Sequence, residues 1–155
     1  MASMRDVTLL NVCRQVEQAA ARLYHLYAKL LRDEPGISAL WLKTAREEEN
    51  HARQIEMVIR RHTQVAVSVH ADPEKAKSAL ALTEQMIALA MVNTPSVRRA
   101  LEDAITAEHA FAQFHADYAV EFGEEADRNL FRSMMAADKD HVGALEAALD
   151  SLAGA

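Results

Sequence analysis

Thr44-Ala45-Arg46-Glu47-Glu48-Glu49-Asn50-His51-Ala52 is the stretch on which the fold turns. It contains no glycine or proline and is dominated by good helix formers. Read as a helix, Glu48-x-x-His51 puts a carboxylate and an imidazole on one face, one turn apart. The rest of that face is a core stripe: Ile37, Trp41, Thr44, Glu48, His51, Ile55 and Val58 follow at alternating spacings of three and four. Ionisable residues therefore interrupt the middle of a buried seam.

The same interruption recurs on three other stripes. Leu10, Cys13, Glu17, Ala20, Tyr24, Tyr27 and Leu31 carry one glutamate. Leu101, Ile105, Glu108, Ala112, His115, Ala119 and Phe122 carry another. Phe131, Met134, Asp138, His141, Leu145, Ala148 and Leu152 carry a second carboxylate-x-x-His pair. An unpaired ionised carboxylate in an apolar core must neutralise, pair with a cation or bind a metal. Lysine and arginine are absent from all four stripes, and a pair of divalent ions would balance the charge. Carboxylates with one imidazole per ion suit iron or manganese and, less distinctively, zinc. Two helices each giving Glu, and two each giving carboxylate-x-x-His, is the pattern of dinuclear carboxylate bundles. The candidate ligands are Glu17, Glu48, His51, Glu108, Asp138 and His141.

Punctuation agrees with long helices. The 155 residues are 50% hydrophobic, with four glycines and three prolines. Breaks at Pro35-Gly36, His70-Ala71-Asp72-Pro73, Thr94-Pro95-Ser96 and Gly123 predict five helices, over roughly 4–32, 37–63, 73–92, 96–122 and 125–152. The expectation is one all-α domain over 1–155: a four-helix up-down bundle of two hairpins, with the shorter third helix as a crossover. An internal repeat supports the pairing. Glu17 aligns with Glu108 and Tyr24 with His115, while Glu48 aligns with Asp138 and His51 with His141.

These residues resemble a rubrerythrin-type member of the ferritin-like superfamily along all four long helices, most closely at Thr44–Ala52. The resemblance implies a carboxylate-bridged di-iron site that reacts with dioxygen or peroxide. By that analogy Glu48 and Glu108 bridge, and Glu17 and Asp138 are terminal ligands. Three departures limit the carry-over. Cys13, the single cysteine, cannot supply the two Cys-x-x-Cys pairs of a rubredoxin-like domain, so any electron donor is a separate protein. The further glutamate that the family places one turn from Glu108 is missing, since Ile105 and Phe111 stand at that spacing, which puts the efficient peroxidase mechanism in doubt. Asp138 stands where the family has glutamate.

The functional expectation is a non-haem di-iron oxidoreductase that oxidises Fe(II) with dioxygen or peroxide, as a ferroxidase or a peroxidase. The alternatives are a non-catalytic metal-binding or interaction module, and a di-manganese catalase-like enzyme. Tyr24, Tyr27 and His115 are core residues by default, with a supporting role beside the ligands as the sharper reading. For His115 a bond to a carbonyl or water is favoured over a relay or ligand role. His25, His62, His70 and His109 fall off the seams and read as solvent-facing, as does the Glu47-Glu48-Glu49 run apart from Glu48. Met86, Met91, Met134 and Met135 read as packing. The net charge of −6 and the lack of a basic stripe argue against nucleic acid. No apolar run reaches membrane-spanning length and no secretion signal is visible. A cytoplasmic protein is expected, as a small homo-oligomer such as a dimer; with no fifth C-terminal helix, a storage shell is not expected.

Overall fold

The computed structural model describes residues 4–62 and 72–154, with side chains from residue 8 onward. Five helices follow in order: α1 (Met4–Leu30), α2 (Pro35–His62), α3 (Glu74–Val92), α4 (Val97–Ala119) and α5 (Glu125–Ala153). No strand occurs among the described residues. Helices α1 with α2, and α4 with α5, pack as two hairpins; α3 lies against α1 and α4. His70, expected to face solvent, falls outside the described residues.

Local chemistry sets the boundaries. Pro35, expected to be a break, opens α2 instead, because its fixed φ suits the first helical turn and its missing N–H is not needed there. The turn before it is tied by Glu34 N–H to Leu31 O at 3.1 Å, and Ser38 Oγ donates to Ala28 O at 3.0 Å. Asp72 accepts from Glu74 N–H at 3.1 Å at the start of α3. Ser96 caps α4 by accepting from Arg99 N–H at 3.1 Å.

Helix α3 explains why α1 and α4 are buried on two faces. Ala76, Ala79, Thr83, Met86 and Ala90 form its buried stripe, and mostly small residues let it approach closely. It presses on the second stripes of α1 and α4, which include Val12, Val16, Leu23, Ala104, Ala107 and Phe114. Tyr118 Oη locks its start, accepting from Ala76 N–H at 3.1 Å and donating to Asp72 O at 2.8 Å. Met91, expected to pack, is exposed because it falls on the outer face of α3.

His62 is a second correction. It is buried, not solvent-facing: its Nε2 lies 2.8 Å from Asp127 Oδ2, and Arg61 pairs with the same carboxylate. His62 continues the buried stripe of α2 four residues beyond Val58, and the cluster joins the end of α2 to the start of α5, a partner that lies too far along the chain for that stripe to name. His25 and His109 are exposed, as expected.

Trp41 anchors the α1–α2 hairpin. It is fully buried, stacked on Tyr24 at 5.5 Å between ring centroids and tilted against Tyr27 at 5.0 Å. Truncating it removes that packing and leaves a cavity beside the ionisable core. Trp41→Ala should cost about 3–5 kcal/mol in chemical denaturation, whereas Met91→Ala should change stability by less than about 0.5 kcal/mol.

Candidate metal centre

All six sequence-derived candidates are buried at mid-height of the bundle. They form two groups whose ligand atoms lie within 4.8 Å of one another: Glu17, Glu48 and His51, and Glu48, Glu108, Asp138 and His141. Glu48 alone belongs to both groups. Both imidazoles turn Nδ1 inward. His51 Nδ1 lies 3.3 Å from Glu48 Oε2 and 3.7 Å from Glu17 Oε2. His141 Nδ1 lies 3.1 Å from Glu48 Oε1 and 3.3 Å from Glu108 Oε2.

A supporting layer joins α1 to α4. Tyr24 Oη donates to Glu108 Oε1 at 2.6 Å. His115 is fully buried and spans two carboxylates, with Nε2 2.8 Å from Glu17 Oε1 and Nδ1 2.5 Å from Asp138 Oδ2. The expected bond to a carbonyl or water is thus replaced by contacts to two candidate ligands. Tyr24 and His115 are repeat partners, and each reaches the glutamate of the opposite helix. Their aromatic neighbours match too: Tyr24 stacks on Trp41, and His115 lies edge-on to Phe131 at 5.8 Å. Tyr27 instead packs on Trp41 and makes no hydrogen bond to the cluster among the described residues.

Sequence reading also passed over Glu47. Half-exposed, its Oε2 lies 2.5 Å from His141 Nε2, across the α2–α5 interface. A run of three glutamates reads as a solvated face, and only the register of two distant helices shows that one of them reaches inward.

The electrostatics are those of a cluster short of cations. Burial raises Glu108 to about 8, with repulsion from Glu48 adding to it. Burial raises Asp138 to about 7 despite the neighbouring His115. Burial opposes the low value of Glu17, but hydrogen bonding with Glu48 and the adjacent His115 and His51 hold it at about 2; burial, and then the charge of Glu17, raise Glu48. Burial likewise disfavours charged imidazoles, yet the carboxylates outweigh it, lifting His51 and His115 to about 10 and His141 to about 12. Protons do the work of counter-ions here.

The donor set fits a pair of divalent ions. Both Glu17 oxygens, Glu48 Oε1 and Asp138 Oδ1 are buried without an aligned hydrogen-bond partner. Orphaned carboxylate oxygens facing two inward imidazole nitrogens offer mixed O/N coordination that protons satisfy poorly.

The sequence profile of the rubrerythrin family matches residues 9–149. The chain belongs to the rubrerythrin family. Its fold is that of symerythrin from Cyanophora paradoxa, solved reduced with dithionite. The two share 22% identity and a TM-score of 0.63, over 92% of this chain and 83% of that one. No curated protein matches the chain. Rubrerythrin membership makes this a ferritin-like protein whose Glu/His cluster fits a di-metal site. No helix among the described residues is long and apolar enough to cross a membrane.

The raised values set a pH dependence. Glu108, Asp138, His51, His115 and His141 bind protons more tightly folded than unfolded. Their stabilisation is full below each unfolded value and is lost as pH rises towards the folded one. Glu17 acts oppositely, losing its contribution as pH falls towards about 2. The melting temperature of metal-free protein should therefore fall from about pH 6 to about pH 9. A divalent ion should flatten that slope and release protons on binding. Thermal melts across pH, and calorimetric titrations in buffers of different ionisation enthalpy, check both.

Proposed function

We propose that this protein is a di-iron oxidoreductase that oxidises Fe(II) with dioxygen or peroxide. The observation that carries the reading is the meeting of two buried carboxylate–imidazole groups at Glu48. Glu17 and His51 would hold one ion, and Glu108, Asp138 and His141 the other, with Glu48 between them. Two Fe(II) ions supply two electrons, which with two protons convert dioxygen to hydrogen peroxide, or hydrogen peroxide to two waters.

The chain's own residues prepare that exchange. Four carboxylates provide the anionic surroundings that favour the more highly charged, oxidised metal. Tyr24 fixes the orientation of Glu108 through its 2.6 Å hydrogen bond. His115 holds a proton between Glu17 and Asp138, next to the candidate ligands, where it would be available for the reduction. The surrounding apolar shell, with Phe111, Phe114, Phe131 and Ile55 fully or almost fully buried, limits water. Cys13, buried one turn from Glu17, has its thiol pushed up by burial and by that carboxylate, so it is a packing residue and not a reductant. Turnover as a peroxidase would then draw its electrons from a source other than Cys13.

Anaerobic titration should show two Fe(II) bound per chain. Mixing with dioxygen or peroxide in stopped flow should oxidise them at least about 10-fold faster than Fe(II) in buffer, the scale of one lost ligand interaction. Glu48→Ala should return the rate to that of buffer, and Tyr24→Phe should slow it while two ions still bind. A wild-type rate equal to buffer, with metal only raising the melting temperature, would show a non-catalytic metal-binding module. Manganese in the purified protein, with oxygen evolved from peroxide, would show a catalase-like enzyme instead.

A further inference from the structure

The repeat relates α2 to α5 so that Glu48 corresponds to Asp138 and His51 to His141. The helices run antiparallel here: Glu47 meets His141, and His51 shares a cleft with Ala137. Under the same correspondence the counterpart of Glu47 is Ala137. Each histidine therefore faces the residue that the twofold assigns to it, but one finds a carboxylate and the other a methyl group.

This difference has physical consequences. His141 is held at both ends, with Nε2 at 2.5 Å from Glu47 Oε2 and Nδ1 facing Glu48 and Glu108. A carboxylate on the outer nitrogen of a metal-binding imidazole fixes its tautomer and orientation and raises its basicity. His51 is engaged from Nδ1 alone among the described residues. Its ring borders a cleft of about 540 Å³ between α2 and α5, walled by Ala137, Leu42, Asn50, Lys43, Arg46 and, towards His141, Glu47. That is ample for a molecule the size of water or dioxygen. Two other grooves, between α4 and α5 and between α1 and α2, border none of the six candidate ligands. The opposite side of the bundle is covered by α3. Lys43, which lies 3.9 Å from Glu47 Oε1, and Arg46 leave the mouth one cation in excess, which favours small anions approaching an acidic centre.

We propose that Glu47 is a positioning residue that fixes the His141 half of the centre, and that the Ala137-lined cleft admits a small exogenous ligand to the His51 half. The inference rests on the metal-centre reading above and adds that the two metal positions are inequivalent. One is held by an extra carboxylate. The other lies beneath the entrance.

The test uses Co(II), followed by its ligand-field absorption, and azide as the small-anion probe. Wild-type protein should bind two Co(II) in distinguishable steps, and azide should then shift the bands. Glu47→Ala should weaken one step about 10- to 100-fold and leave the other unchanged. Glu47→Gln, which keeps an oxygen in reach of His141 Nε2, should recover part of that loss. Ala137→Leu should narrow the cleft beside His51 and weaken azide binding at least about 10-fold while both Co(II) still bind. Far-ultraviolet circular dichroism and melts before metal addition show that each variant is folded. If Glu47→Ala weakens both steps equally or neither, the positioning role is overturned. If Ala137→Leu binds azide as wild type does, the entrance is overturned. Failure of the wild type to bind Co(II) or Fe(II) would overturn the metal-centre reading itself, a result distinct from normal uptake with unresponsive variants.

Discussion

Four carboxylates within one apolar bundle are the constraint on which the rest of the structure depends. Glu17, Glu48, Glu108 and Asp138 are all fully buried, and among the described residues no lysine or arginine pairs with them. Such a cluster persists only if something positive stands among it. In this molecule that is three imidazoles, a set of shared protons and, on the proposed reading, two metal ions. Protons alone leave carboxylate oxygens without aligned partners. Metal and proton thus compete for the same atoms, linking occupancy of the site to pH and to stability.

The bundle solves the burial problem twice, through two related hairpins, and the departures from symmetry matter as much as the symmetry. Tyr24 and His115 occupy equivalent positions and both reach across to the opposite glutamate, but one is a phenol and the other an imidazole. The phenol donates a single proton to Glu108. The imidazole spans Glu17 and Asp138 and so ties together the two halves of the centre. Asp138 is one methylene shorter than its counterpart Glu48, and His115 lies at 2.5 Å from it. Glu47 and Ala137 repeat the theme on the outer face. A duplicated scaffold keeps the ligand types matched while single residues in the surrounding layer distinguish the two positions.

The placement of α3 gives these differences a direction. By covering α1 and α4 it seals the side that carries Tyr24 and His115, where Ala76, Ala79 and Ala90 allow close packing. On the α2–α5 side no further helix among the described residues covers Glu47 and the cleft over His51. One side of the centre is thus packed by a fifth helix, and the other borders a cleft.

Much of this was legible in the sequence, because helical periodicity is local. Residues three or four apart share a face whatever the helix packs against, so the stripes containing Glu17, Glu48, Glu108 and Asp138 could be read directly. Their matching repeat then indicated two hairpins, and the glycine and proline positions marked the ends to within a few residues. What stayed hidden depends on contacts between segments far apart in the chain. Glu47 is one of three consecutive glutamates, and only the α2–α5 register brings it to His141. His62 continues the seam of α2 four residues beyond Val58, but its partner Asp127, at the start of α5, is set by the packing of the two helices. His115 shows a core position in the sequence, but whether it meets a carbonyl, water or carboxylates depends on how α4 faces α1. The amino-acid sequence by itself determined the helices, their buried faces and the candidate ligands, because those follow from spacing along one backbone. Only the tertiary structure decided which outer groups support each ligand and which side of the centre lies open, because these depend on the relative register and rotation of helices that no local pattern encodes.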